Sequence, residues 1–250
     1  MKAMILAAGE GTRLRPLTLD RPKPMLPVAG RPLLDHIIAW LRHYGITRIA
    51  MNLHHRPQVV MDHFGNGADF GVDITYSVEE EILGTAGGAK RLSAFLDETF
   101  VLVYGDVLTD VDLGALVDFH RSRPKEAHLS MSLYHVPNPW DCGIVGLDEV
   151  GRIRRFVEKP KKPDVFSDLA SAGILVIDHQ LLQYVPVGRF ADFGHDVFPT
   201  LLQSDVPLHG WTIPDEAYLV DVGSAERYAQ VQREWPTEAA RAFISTGGGR

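Results

Sequence analysis

Hydrophobic positions in the first half of the chain alternate between short continuous runs and stretches of helical spacing. Ala3–Ala8, Ile46–Leu53, Val72–Val78 and Phe100–Val103 are apolar runs bounded by turn residues, the pattern of buried strands. Between the first two, Arg31–Tyr44 carries Leu33, Leu34, Ile37, Ile38 and Leu41 at helical spacing, and Gly45 supplies a stop. Pro57–Phe64, Gly84–Leu96 and Leu113–Arg121 read as further helices. This β-α-β alternation over residues 1–122 predicts an α/β, Rossmann-like, doubly wound sheet, mixed but mostly parallel. In such sheets ligands bind beyond the carboxyl ends of the strands.

From residue 123 the pattern shifts to strands with few long helices. His128–His135, Gly143–Leu147, Ile153–Val157 and Ala172–Ile177 are strand-like, and Asp148–Gly151 reads as a hairpin turn between two of them. Helices are expected at His179–Tyr184, Asp196–Gln203 and Ser224–Trp235, and late strands at Pro207–Ile213 and Ala217–Val220. No change in composition marks a boundary. The expectation is one domain over 1–235, with two halves of different character (1–122 and 123–235) and a frayed tail over 236–250.

Composition narrows the class. Hydrophobic residues make up 45% and charged residues 23% of the 250, ordinary for a soluble globular protein. A net charge of −7 argues against nucleic acid as the main partner. The single cysteine, Cys142, excludes an internal disulfide and fits a reducing cytoplasm. No apolar run approaches the ~20 residues of a membrane span, and the chain opens on a strand rather than a signal peptide.

Positive charge is concentrated after the first strand, where Gly9 and Gly11 are followed by Thr12, Arg13, Arg15 and a lysine held between two prolines, Pro22-Lys23-Pro24. Glycines allow close approach of the backbone and expose its N–H groups as an anion cradle. Arg13 and Lys23 add full charge beside it. Leu14 stands where a dinucleotide fingerprint needs its third glycine, and P-loop spacing is absent. A bare glycine pair is often only a turn, but a turn needs no cluster of cations. The stretch is read as a triphosphate site.

Gly9-x-Gly11-Thr-Arg13-Leu-x-Pro16-Leu-Thr-x-x-x-Pro22-Lys23-Pro24-Met-Leu-Pro-Val28 resembles the signature of the sugar-1-phosphate nucleotidylyltransferases, and separated motifs agree in order over roughly residues 2–233. The nucleotide site is accordingly placed on Leu6, Ala7, Ala8, Gly9, Gly11, Thr12, Arg13 and Lys23. The Glu79–Gly88 segment looks like the base-recognition loop of that family, which adds Glu81, Gly84, Thr85 and Gly87 through carboxylate, hydroxyl and bare backbone.

Asp106 and Asp221 each follow an apolar run at a strand end, so two carboxylates come to the ligand-bearing edge of a sheet. That suits one Mg²⁺, which takes one or two carboxylates plus phosphate oxygens. The competing reading, less favoured, is that either aspartate only caps the following helix. The resemblance favours the metal, with Arg13, Lys23 and Asp106 as catalytic residues. In Val157-Glu158-Lys159-Pro160 the two charges, adjacent on an extended chain, are expected on opposite faces. The residues alone favour a charged strand end. The resemblance implies a sugar-phosphate site with Glu158 on sugar hydroxyls and Lys159 on the phosphate, joined by Gly143 and Ser171.

What the resemblance implies is NTP plus sugar 1-phosphate giving NDP-sugar and pyrophosphate, without a protein nucleophile. The Glu79–Gly87, Gly151–Pro160 and Ser171–Leu175 segments look most like mannose-1-phosphate guanylyltransferases. The opening loop and Tyr104–Asp110 look equally like N-acetylmuramate-1-phosphate uridylyltransferases. Tyr104, Gly105, Ser171 and Leu219 depart from the guanylyltransferase pattern, which leaves other sugar or cyclitol phosphates open. A left-handed β-helix extension is not expected, and the protein is expected as a monomer or homo-oligomer. The other classes weighed are a silent nucleotide-sugar sensor, which would lose phosphate or metal residues, and a cytidylyltransferase for another alcohol phosphate, which would not need the Pro-Lys-Pro or Val-Glu-Lys-Pro elements.

Overall fold

The structure, a computed structural model, describes residues 1–124 and 129–235. In chain order its principal elements are β1 (Lys2–Leu6), β2 (Pro27–Val28), β3 (Arg31–Pro32), α1 (Leu33–His43), β4 (Arg48–Leu53), α2 (Pro57–Phe64) and β5 (Asp73–Val78). Then come α3 (Gly84–Arg91), β6 (Phe100–Tyr104), β7 (Val107–Thr109), α4 (Leu113–Arg121), β8 (Leu129–His135), β9 (Gly143–Leu147), β10 (Ile153–Glu158) and β11 (Leu169–Ile177). Last are α5 (Phe198–Gln203), β12 (Leu208–Thr212), β13 (Leu219–Asp221) and α6 (Ala225–Glu234). The α/β, Rossmann-like architecture expected from the alternation is present.

Chain contacts group these elements into two compact units that interleave in sequence. The first holds Met1–Ile82, Val103–Val111 and the chain from Glu216; the second holds Leu83–Leu102 and Asp112–Asp215. In the first, β1, β4 and β5 run parallel, with Ala3 beside Ile49 and Arg48 beside Asp73. These strands read as continuous apolar runs because both faces are covered: Ala3, Met4 and Ile5 in β1 and Ile49, Ala50 and Met51 in β4 are fully buried. Helix α1 turns Leu33, Leu34, Ile37, Ile38 and Leu41 inward. Trp40 is core, and its indole N–H donates to the Val111 carbonyl at 2.8 Å.

The second unit is mixed. β8 lies between β11 (antiparallel) and β12 (parallel), and β9 joins β11 to β10 with antiparallel pairings on both sides. The hairpin over Asp148–Gly151 forms, and Asp148 accepts from the Val150 and Arg152 amides.

Several boundaries differ from the sequence reading. α3 stops at Arg91, β11 begins at Leu169, and His179–Tyr184 is a 3-10 rather than an α-helix. The short pairings β2–β3 and β7–β13 were not expected at all. His128 and the 236–250 tail lie outside the described residues. Among the described residues no helix is long and apolar enough to cross a membrane.

Candidate active site

Two clusters, one in each unit, collect the predicted residues. In the first unit β1 ends at Leu6 and the chain enters the glycine loop. Gly11 sits at φ +63, where an L side chain is strained, and a Cβ there would lie 2.9 Å from the Lys23 Cβ. The Gly11 carbonyl accepts from the Thr18 hydroxyl at 2.9 Å, and the Thr18 carbonyl meets His55 Nε2 at 3.0 Å. The loop is thus folded on itself, with Thr18 only 1% exposed as its inner tie.

A cleft of about 280 Å³ opens along this loop, lined by Leu6, Ala7, Gly9, Gly11, Thr12, Arg13, Lys23, Pro24, Gly105, Asp106 and Gly223. Of the predicted nucleotide residues in this part of the chain, only Ala8 is absent from its wall; Ala8 is buried behind it. Glu81 lies exposed on the bend after β5 and outside the lining. The floor is fixed by a buried relay that the sequence reading missed. The Ala7 amide donates to Asn52 Oδ1 at 3.0 Å, and Asn52 Nδ2 donates to Glu79 Oε1 at 2.9 Å.

The two strand-end aspartates meet here. β7 pairs with β13 so that Asp221 faces Val107, which brings Asp106 and Asp221 to one end of that ribbon. Lys23 is hydrogen-bonded to Asp106 and lies 3.8 Å from Asp221. Desolvation first and the Asp106 carboxylate second push the pKa of Asp221 up to about 6, while Lys23 and Arg13 pull it down. Its side chain keeps 53% of its surface in solvent, so carboxylate repulsion is the sturdier of the two causes. Among the described residues no three His, Cys, Asp or Glu gather into a protein-only metal cage. Two carboxylates beside a cationic glycine-loop cleft instead fit an ion that takes one or two carboxylates and completes its shell with oxygens of a ligand. Asp110 and Asp112 are structural: Asp110 accepts from the Tyr218 amide, and Asp112 caps α4.

In the second unit, Glu158 closes β10 directly opposite Gly143 of β9. Its side chain is 20% exposed. Burial raises the Glu158 pKa, Lys159 opposes that, and Asp192 adds to it. The expectation that Glu158 and Lys159 point to opposite faces fails. Lys159 leaves the extended conformation at φ +46, and its ammonium comes within 3.6 Å of Glu158 Oε1. Adjacent residues alternate faces only while the strand continues, and β10 ends at Glu158. Ser171 lies half-buried where the register of β11 against β8 shifts.

Gly84, Thr85 and Gly87 open α3. The Thr85 hydroxyl donates to Asp192 Oδ2 at 2.8 Å, and the Gly87 amide donates to the Ala191 carbonyl at 3.0 Å. Both groups, expected to read a base, are engaged inside the protein. Asp192 was not singled out from sequence; its signal was an Asp two residues before a glycine at a helix start, an N-cap pattern.

Residues 2–238 match the model of the nucleotidyl transferase family. A UTP–glucose-1-phosphate uridylyltransferase of Synechocystis sp. is 36% identical over 245 residues, covering 93% of this chain and 63% of that relative. A mannose-1-phosphate guanylyltransferase of Mycobacterium tuberculosis is 37% identical over 230 residues, covering 91% and 62%. The chain therefore spans less than two thirds of the length of these curated relatives. Among solved structures, a protein from Bacillus anthracis described as a glucose-1-phosphate thymidylyltransferase, in complex with sucrose, superposes with a TM-score of 0.83. It is 26% identical, and the match covers 93% of this chain and 94% of that one.

Proposed function

We propose that this chain, which belongs to the nucleotidyl transferase family, joins an NTP to a sugar 1-phosphate and releases pyrophosphate. The observation that carries the reading is the meeting of Lys23 with Asp106 and Asp221 beside the glycine-loop cleft, a composition suited to a triphosphate and a cation together. A phosphate oxygen of the sugar 1-phosphate attacks the α-phosphorus, the new O–P bond forms, and the bond to the β-phosphate oxygen breaks with pyrophosphate leaving. Arg13 and Lys23 offset the charge that develops on the phosphates. Leu6, Ala7, Gly9, Gly11 and Thr12 present backbone to the nucleotide.

Asp106 and Asp221 would hold Mg²⁺, which supplies Lewis-acid charge to the phosphate oxygens when bound. In the second unit Lys159 holds the sugar phosphate, and Glu158 accepts from sugar hydroxyls beside Gly143 and Ser171. Glu81 and Gly84 contact the base, with Thr85 and Gly87 shaping the turn.

Our preferred substrates are GTP with mannose 1-phosphate. UTP with glucose 1-phosphate is the second reading, favoured by a relative of that name at nearly the same identity. N-acetylmuramate 1-phosphate and cyclitol phosphates complete the panel. The test is pyrophosphate release from GTP, UTP, dTTP, ATP and CTP against that panel. One pair should turn over, and Lys23→Ala or Asp106→Ala should abolish it while circular dichroism stays native. Near-normal turnover in either variant refutes its role. Bound nucleotide without release from any pair points to a sensor.

A further inference from the structure

Asp192 uses both of its carboxylate oxygens. Oδ1 accepts from the Gly194 and His195 amides at 2.9 and 3.1 Å, and Oδ2 accepts from the Thr85 hydroxyl at 2.8 Å. The same hydroxyl accepts from the Phe193 amide at 2.9 Å. Backbone bonds run alongside: the Ala191 amide donates to the Leu83 carbonyl at 2.9 Å, and the Ala86 and Gly87 amides converge on the Ala191 carbonyl, each at 3.0 Å. The base turn is therefore stapled to the segment around Asp192.

That segment continues as a π-helical turn over Phe193–Val197, a rare geometry concentrated at functional sites. The turn also meets Glu158, since a Cβ built on Gly194 would lie 2.8 Å from Glu158 Oε2. Aromatic packing stiffens the connection: Phe193 stacks on Phe198 at 5.6 Å, and Phe156, two residues before Glu158, packs against Phe198 at 5.0 Å. Capping a helix needs one acceptor, and Ser, Thr or Asn serves as well as Asp. The second oxygen of Asp192 exceeds that need, and it is the one directed to Thr85.

We propose that Asp192 is a positioning residue that joins the Gly84–Gly87 turn and the Glu158 carboxylate into one mechanical unit, so that nucleotide held at the turn fixes Glu158 for the sugar 1-phosphate. The inference rests on the reaction proposed above. Its warrant is a continuous set of hydrogen bonds and packed rings rather than proximity alone.

The test compares wild type, Asp192→Asn, Thr85→Val and the double variant, with GTP and mannose 1-phosphate and with UTP and glucose 1-phosphate, each with Mg²⁺. Asn keeps the cap and the size but gives up the acceptor that faces Thr85. Asp192→Asn should raise the KM for sugar 1-phosphate at least five-fold and the KM for nucleotide less than two-fold. The double variant should be no worse than the poorer single one, as expected of two parts of one link. Hydrogen exchange supplies a readout independent of turnover. Nucleotide alone should protect residues 190–198 in wild type but not in Asp192→Asn. A wild-type KM for sugar 1-phosphate in Asp192→Asn, additive effects in the double variant, or protection retained in Asp192→Asn would overturn the inference and leave the reaction standing. A wild-type protein with neither pyrophosphate release nor nucleotide-dependent protection would overturn both.

Discussion

Gly143→Ala tests the Glu158 pocket most directly, because Gly143 lacks the positive φ at which an L side chain is strained. Any cost of the substitution is therefore steric. The added Cβ would stand 2.5 Å from Glu158 Oε2 and 2.6 Å from Phe156 Cζ. Ordinary carbon contacts lie near 3.5–4.0 Å, so ring and carboxylate must each retreat by roughly 1 Å. The carboxylate is the end of a flexible chain, but Phe156 is only 7% exposed and packs on Phe198, so the ring has little room. Overpacking of this kind costs about 1–3 kcal/mol. For a chain of this size that is a fall in Tm of roughly 2–12 °C. On the proposed role, a displaced Glu158 would also lose hydrogen bonds to sugar hydroxyls, and charged hydrogen bonds at ~1.5–3 kcal/mol put the rise in KM for sugar 1-phosphate at about 10–100-fold. Scanning fluorimetry and pyrophosphate release against sugar-phosphate concentration read the two effects. In Gly143→Ala/Glu158→Ala one contact is relieved, so Tm should recover in part while activity does not. A single variant with wild-type Tm and KM would refute the crowded pocket.

Glu158→Gln should separate function from stability. Burial raises the Glu158 pKa in the folded state, so the fold favours the protonated form: stability is greatest below the unfolded pKa and is lost as pH rises through the folded one. A glutamine cannot ionise, so the variant should melt above wild type near pH ~8 and level with it near pH ~4, while its sugar-phosphate KM worsens. Equal melting temperatures at both pH values would remove the burial argument. Thr18→Val deletes the hydroxyl that holds the Gly11 carbonyl, at a cost of about 1 kcal/mol. It should weaken nucleotide binding about five-fold by calorimetry with little change in sugar-phosphate KM, and unchanged nucleotide affinity would show that the glycine loop does not depend on this tie.

The sequence made the first cluster legible because its elements are local. An apolar run, two glycines and a fenced lysine are contiguous, and Asp106 and Asp221 each announce a strand end. Their meeting at one ion was expected, but the pairing that produces it was not legible. It depends on β7 pairing with β13 across more than a hundred residues, and a three-residue strand leaves almost no periodicity to detect. The same holds for Thr18, Asn52 and Asp192, whose partners are distant or are backbone atoms that any sequence supplies. Glu158 and Lys159 failed for a different reason: alternation of faces was carried one residue past the end of the strand. Thr85 and Gly87 were expected to face a base, but their polar groups turn inward, because a glycine-rich helix start needs tertiary partners to hold it.

On the proposed function, the charges of the first cluster give a reason for a nucleotide and a divalent ion to bind there together. Arg13 and Lys23 offset Asp106 and Asp221, so the cluster has little net charge to give a polyphosphate. Lys23 is already hydrogen-bonded to Asp106 and within ion-pair reach of Asp221. A triphosphate that draws Lys23 to itself leaves two carboxylates facing each other, and like charges at short range in a partly desolvated setting are costly. A triphosphate that does not draw it meets two anions instead. Asp106 and Asp221 would escape this conflict by holding a divalent ion, whose positive charge would offset theirs and leave Lys23 to the phosphate. Neutrality without ligand and cation demand with it are the two properties a site needs if it is to stay folded when empty and still grip a highly charged substrate. Arg13 and Lys23, placed on a loop tied by Thr18, and the two aspartates, placed on a ribbon, meet both requirements without a third carboxylate.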